Sequence, residues 1–280
     1  MEIIGDKKSV VIVTGASRGI GLAITTALLK ELDSCVITIS RKSNDALVAL
    51  AADHPETLAV VLGDVTDPST SKQAVTSAIE QFGHLDGVIL NAGVLYPMGT
   101  VASIPVDATA SDGDSSSGKL SPTDTWKSLF DVNFFSLIYT VQAALPALRA
   151  SPRKGRIIMV SSGASVKGQY GWGPYAASKA AVNSLVKTLA TEEPNVATIA
   201  IRPGVVDTDM QTLLRSSTDA LRTEDVKPFV DLFASGKLAK PADPGYVIAS
   251  LSISAKDELS GQYVSWDGEE CKQHRRQRQD

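Results

Sequence analysis

Two cysteines and three histidines in 280 residues are too few for the frameworks either residue commonly builds. Cys35 and Cys271 cannot supply the disulfide scaffold of a small secreted domain, and both are expected as free thiols in a reducing compartment. His54, His84 and His274 are scattered without metal-ligand spacing, so no metal is expected. A charge excess is also missing: 27 Lys and Arg against 31 Asp and Glu leave −4, which gives nucleic acid no bulk attraction. No apolar stretch approaches the ~20 residues of a bilayer span, and residues 1–6 lack the charged start and apolar core of a signal peptide. These absences predict a soluble cytoplasmic protein without a nucleic-acid or membrane partner. The basic run at Arg275, Arg276 and Arg278 reads as part of a solvated, flexible tail over 267–280.

What is present is apolar and rhythmic. Hydrophobic residues make up 43% of the chain, enough for one large α/β domain. Short β-branched runs at 9–14, 35–39, 58–62, 87–90, 156–160, 196–201 and 262–265 predict seven strands. Helical spacing falls between them, at 20–32, 45–52, 68–82, 125–149, 174–191 and 243–254. Strand and helix alternation predicts a single Rossmann-type domain: a doubly wound, mostly parallel sheet with helices on both faces and a ligand at the strands' carboxyl ends. Residues 103–124 break the rhythm with a small, polar stretch, read as a mobile surface insertion near the ligand edge.

Two local patterns carry chemistry. The first strand runs directly into Gly15-Ala16-Ser17-Arg18-Gly19-Ile20-Gly21 and then a helix. Glycines there let the backbone turn tightly and approach a pyrophosphate held against the helix N-terminus. Tyr175 and Lys179 stand four residues apart, so on a helix the phenol and ammonium share a face. A neighbouring cation favours the phenolate, which would bring Tyr175 toward the working range of a general acid or base. Taken alone, the same pair is common on solvated helices.

The spacing Gly-x-x-x-Gly-x-Gly, followed in order by Asn91-Ala92-Gly93, Asn133, Ser162, Tyr175, Lys179, and Pro203-Gly204 ahead of Thr208, resembles the short-chain dehydrogenase/reductase family over nearly the whole chain. The resemblance implies a nicotinamide cofactor, with Tyr175 protonating the developing alkoxide and Ser162 hydrogen-bonding the same oxygen. It implies that Lys179 lowers the Tyr175 pKa and binds the ribose. For Asn133 it implies a helix distortion and a water link to Lys179. Gly15, Ser17, Arg18, Gly19, Ile20 and Gly21 would hold the pyrophosphate side. Asp64 and Val65 would meet adenine, Asn91, Ala92 and Gly93 the adenine ribose, and Pro203, Gly204, Val206 and Thr208 the carboxamide end. Residues 207–240 correspond to the family's substrate lid.

Charge speaks to cofactor type. An acidic residue after the second strand would repel a ribose 2′-phosphate, whereas this chain has Ser40-Arg41-Lys42, with Arg18 as a further cation. NADPH/NADP is therefore expected. The stretches 129–136, 161–167 and 203–211 resemble the fungal benzil reductase and sepiapterin reductase-like branch. That implies reduction of one carbonyl of an α-dicarbonyl. Pterin reduction, NADP-dependent alcohol oxidation and a non-catalytic cofactor-binding scaffold stand as alternatives. Trp172 serves either as an apolar wall for an aromatic substrate or as packing. Apolar residues on more than one side of 125–149 and 174–191 predict a homodimer, with a tetramer open.

Overall fold

The computed structural model describes residues 7–107, 124–217 and 220–277. Seven strands form one sheet: β1 (Val10–Thr14), β2 (Cys35–Ser40), β3 (Leu58–Leu62), β4 (Gly87–Leu90), β5 (Gly155–Val160), β6 (Val196–Arg202) and β7 (Tyr263–Ser265). Their order is β3-β2-β1-β4-β5-β6-β7, and every neighbouring pair is parallel. The order reverses between β1 and β4, which opens a crevice at the carboxyl ends of those two strands.

Side-chain alternation along β1 explains the layers. Val11 and Val13 face one side, packing with Ile24 and Leu28 of α1 (Gly19–Lys30), Leu47 and Leu50 of α2 (Asp45–Asp53), and Val247 and Leu251 of α9 (Ala242–Ser254). Val10 and Ile12 face the other, with Ala74 and Ala78 of α3 (Pro68–Phe82), Leu137 and Val141 of α5 (Ser136–Arg149), and Val182 and Val186 of α6 (Gly173–Glu192). Small residues let α1 and α9 meet closely: a Cβ on Gly245 would stand 2.9 Å from that of Ala23.

The helix leading into α5 is not uniform. α4 (Trp126–Phe130), begun by a reciprocal Thr125–Ser128 capping box, passes into a π-turn at Asp131–Phe135 before α5. Together Trp126–Arg149 make 24 residues, within which an 18-residue stretch has a mean hydropathy of 1.2. By length and composition alone this run is enough to cross a membrane, which the sequence reading does not anticipate, but in the fold one side of it lies against the sheet while Phe135 on another side is exposed.

A correction concerns the tail. Glu269–His274 forms a 3₁₀ segment that buries Cys271 and His274, three residues apart and therefore on one side of it. His274 Nδ1 lies 2.9 Å from Ser250 Oγ of α9. Arg276 donates to both carboxylate oxygens of Glu31 at 2.7 and 2.8 Å and stacks over Tyr246. The basic composition concealed these two inward-facing side chains. Burial pushes the Cys271 thiol up to about 11, a poor nucleophile at neutral pH. Residues 278–280 lie outside the described residues, as does most of the expected insertion, 108–123.

Beyond β6, α7 (Asp209–Ser216) and α8 (Thr223–Ala234) fold over the strand ends. Leu214, Leu221 and Val226 join Leu95, Met98, Leu129, Trp172 and Tyr175 in a third apolar cluster above the sheet.

Candidate active site

Thr14, at the end of β1, organises the crevice. Its hydroxyl accepts from the amides of Asn91 and Ala92, both at 3.0 Å, which binds the β4 exit to β1. Asn91 returns the tie: Nδ2 donates to Thr14 O at 3.0 Å and to Gly15 O at 3.3 Å. Asn91 is therefore a brace for the glycine loop. Thr14 went unremarked in the sequence, where its one signal is a hydroxyl at a strand end directly before Gly15.

The loop needs its glycines. Gly15 (φ +69) and Gly19 (φ +54) lie in the left-handed region. A Cβ on Gly21 would fall 2.1 Å from Gly15 O and 2.7 Å from Asn91 Nδ2. Arg18 is the N-cap of α1 and makes no side-chain cap bond, so the first amides of the helix lack a side-chain cap among the described residues. Close-packed glycine backbone leading to an uncapped helix start could hold a dinucleotide pyrophosphate, with Gly15, Ser17, Gly19, Ile20 and Gly21 around it.

At the β2 side, Asn44 Nδ2 donates to Ser17 O at 2.5 Å, joining the loop to the segment after β2. Arg41 and Lys42 are exposed, while Ser40 is buried and its hydroxyl has no partner among the described residues. Arg18 turns away from this segment and pairs with Asp209 of α7 at 2.6 Å. Asp64, also exposed, accepts from the Thr66 amide and hydroxyl through Oδ1, at 2.9 and 2.8 Å, and Val65 is buried behind it.

At the other end, Gly204 (φ +79) backs onto the Trp266 indole, and Val206 bridges to Ala239. Pro203 is buried ahead of them. Thr208 donates to Val206 O at 3.3 Å, and its methyl stands 3.3 Å from where a Gly19 Cβ would lie. The segment after β6 thus closes against the glycine loop.

Between the two ends lie the four predicted reactive residues. Asn133, fully buried at the centre of the π-turn, is satisfied by Val94 across the β4 exit: Oδ1 accepts from Val94 N at 2.8 Å and Nδ2 donates to Val94 O at 2.9 Å. Nδ2 also reaches Ser178 Oγ at 3.3 Å, and Ser178 donates to Tyr175 O at 2.8 Å, so Asn133 is linked to the backbone carrying the phenol. Lys179 Nζ donates to Val160 O at 2.8 Å and lies 5.9 Å from the Tyr175 ring centroid. A Cβ on Gly93 would stand 3.3 Å from Asn133 Oδ1 and 3.5 Å from Lys179 Nζ, so the absent side chain leaves room between them. Ser162, the cap of a 3₁₀ turn, accepts from Ala164 N at 3.2 Å. Its side chain is close enough to the Tyr175 phenol to draw the phenol pKa down as a hydrogen-bonding neighbour. Tyr263 of β7 donates to Ser162 O at 3.0 Å across 101 positions of sequence, a support with no local signal.

The expected depression of the Tyr175 pKa is not what the structure shows. Burial pushes the phenol up, the Ser162 bond opposes this, and Tyr263 adds to the rise. Burial also draws Lys179 from 10.5 down to about 8. The low-dielectric site outweighs the pairing anticipated from a four-residue spacing. Tyr175 is accordingly held protonated at neutral pH, the form that can donate a proton.

The Lys179 shift predicts a pH dependence of stability. Between pH ~8 and ~10.5 the unfolded chain holds more protons at this position than the folded one, so stability rises with pH across that window and its cost is full below ~8. Above pH ~10 the raised Tyr175 pKa acts oppositely, because the folded state then holds the extra proton. The urea midpoint of the cofactor-free protein should rise from pH ~8 toward ~10, by roughly 1–3 kcal/mol of stability, and Lys179→Met should flatten it. An unchanged slope in that variant would assign the rise to other groups.

Trp172 stacks on Phe229 of α8 (centroids 5.8 Å apart, 19° between planes) and meets Tyr175 edge-on at 5.7 Å. It thus packs and forms a wall at once. Tyr96 Oη, 2.7 Å from Ser217 Oγ, ties the β4 exit to the end of α7.

A family model described as short chain dehydrogenase matches residues 9–219. The chain is 40% identical over 261 residues to an uncharacterised oxidoreductase of Schizosaccharomyces pombe, covering 92% of this chain and 96% of that protein. It is 35% identical over 266 residues to benzil reductase ((S)-benzoin forming) of Saccharomyces cerevisiae, covering 93% and 96%. The crystal structure of the Saccharomyces cerevisiae short-chain dehydrogenase/reductase YIR035C superposes with a TM-score of 0.85 at 34% identity, covering 96% of this chain and all of that one.

Proposed function

The chain belongs to the short-chain dehydrogenase family of oxidoreductases, and from that premise we propose that it is an NADPH-dependent carbonyl reductase acting on α-dicarbonyls such as benzil, with Tyr175 as general acid. The observation that carries the reading is the half-buried Ser162 side chain acting on the buried Tyr175 phenol beneath an aromatic wall of Trp172 and Phe229. Two hydroxyls that can meet one oxygen, beside an apolar cluster that includes Leu95, Met98 and Leu214, suit an aryl ketone.

The cofactor, when bound along the glycine loop and the β4 exit, supplies the hydride. The remaining work belongs to the chain. Ser162 orients the carbonyl oxygen and donates to it as charge builds there. Tyr175 carries the proton that converts the alkoxide to a hydroxyl. Lys179, charged below pH ~8, stabilises the negative charge left on Tyr175 after that transfer and would meet the ribose hydroxyls. Asn133 fixes the Val94 backbone and, through Ser178, the turn of α6 that holds Tyr175. Arg41, Lys42 and Arg18 supply cations for the ribose phosphate, and no carboxylate ends β2. Phe135, 41% exposed on the helix run before α5, supports pairing of two copies through that face.

The test is cofactor oxidation with benzil, other α-diketones, simple ketones and sepiapterin, using NADPH and NADH in parallel. Aryl diketones should turn over fastest and with NADPH. A flat response across the panel, with cofactor binding intact, would favour the non-catalytic alternative; faster turnover with NADH would overturn the cofactor assignment.

A further inference from the structure

Arg18 lies where the glycine loop meets α7. On one side the glycine loop is tied, through Ser17 O and Asn44 Nδ2 at 2.5 Å, to the segment that carries exposed Arg41 and Lys42 and the buried hydroxyl of Ser40, which has no partner among the described residues. On the other side the Arg18 guanidinium binds Asp209 Oδ2 at 2.6 Å, a contact between residues 191 positions apart. Asp209 is the first residue of α7, the helix whose inner residue Leu214 packs in the cluster around Tyr175 and Trp172. The bridge therefore joins the start of the cofactor loop to the first turn of the lid.

We infer that Asp209 is a specificity-determining residue for the dinucleotide: its carboxylate competes with the ribose 2′-phosphate for Arg18, so a phosphorylated cofactor loosens the first turn of α7 and an unphosphorylated one does not. The inference rests on the NADPH reading above.

Three features make the exchange feasible. Both side chains are largely exposed, at 70% and 73%, and an exposed ion pair is weak enough to be displaced. A phosphate offers the guanidinium fork two acceptor oxygens and more charge than the carboxylate it replaces. Asp209, once released, remains in the first turn of a helix, where the macrodipole favours a negative charge, so it is not stranded. Arg18 itself has extended backbone (φ −155°, ψ 173°) and no side-chain capping bond to give up when it turns. Coupling of this kind is reciprocal: the affinity that Asp209 withholds from the phosphate equals what the phosphate withholds from the bridge.

The test is binding of adenosine 2′,5′-bisphosphate and of 5′-AMP by calorimetry to wild type, Asp209→Asn, Asp209→Glu and Arg18→Gln. Asp209→Asn should bind the bisphosphate roughly two- to fivefold more tightly at low salt, with the gain shrinking as ionic strength rises, and 5′-AMP unchanged. Asp209→Glu should restore wild-type affinity. A merely structural Asp209 would not yield a gain confined to the 2′-phosphate. Hydrogen exchange at 209–216 gives a second readout: faster with NADP⁺ than with NAD⁺ at saturation in wild type, and alike in Asp209→Asn. If wild type discriminates the two nucleotides through Arg18 but Asp209→Asn binds the bisphosphate no better, the competition is overturned and the cofactor assignment stands. If wild type and Arg18→Gln bind both nucleotides alike, the cofactor assignment itself fails and the inference with it.

Discussion

Tyr175→Phe should lose about 10²–10⁴-fold in kcat, while cofactor affinity stays within a few fold of wild type. The substitution removes one hydroxyl from a ring held by packing against Trp172, so the wall and the fold around it persist. What disappears is the proton that burial keeps on the phenol and its interaction with the Ser162 side chain. Single-turnover reduction of a diketone separates the hydride and proton step from product release, and quenching of the tryptophans by the dinucleotide reports binding. Retained turnover would move the proton donor to Ser162 or to solvent. Comparable loss of binding and turnover would make Tyr175 a structural residue.

Gly21→Ala has the largest expected effect on the cofactor cradle. The new methyl would fall 2.1 Å from Gly15 O, a backbone atom that also accepts from Asn91 Nδ2. Relief requires the glycine loop to lift away from α1, which breaks the Asn91 brace and opens the pyrophosphate groove. Overpacking of this kind costs about 1–3 kcal/mol of stability, a fall in Tm of roughly 2–12 °C for a chain of this size. Because the displaced backbone is the part that would face pyrophosphate, cofactor affinity should drop at least about tenfold. Gly168→Ala is the control: a Cβ there meets nothing within 4 Å and the backbone needs no positive φ. Thermal scans and dinucleotide titration of both variants check this, and equal behaviour of the pair would mean that the loop tolerates a side chain at Gly21.

Much of this site is legible in the chain because its signals are local. A β-branched run ending in Gly15, Gly19 and Gly21 describes its own strand, turn and helix start, and the four-residue step from Tyr175 to Lys179 holds on α6. Other features depend on contacts that no local period encodes. Thr14 holds two amides only because β4 lies beside β1. Tyr263 supports Ser162 because β7 closes the sheet beside β6. The tail was misread for the same reason: Cys271 and His274 sit among charged neighbours, and their inward direction follows from α9 being there to receive them.

The sequence by itself determined the alternating α/β architecture, the glycine-rich turn and the candidate reactive groups, since strand and helix periods and backbone freedom are written residue by residue. Tertiary structure alone decided the electrostatics and the linkages. Spacing places a cation one turn from Tyr175, but the burial of both groups raises the phenol and lowers the amine, because desolvation depends on everything packed around them. Composition offers Arg18 as a cation for a phosphate, but only the fold brings Asp209 to 2.6 Å from it, because Coulomb attraction acts through space and takes no account of the 191 positions between them.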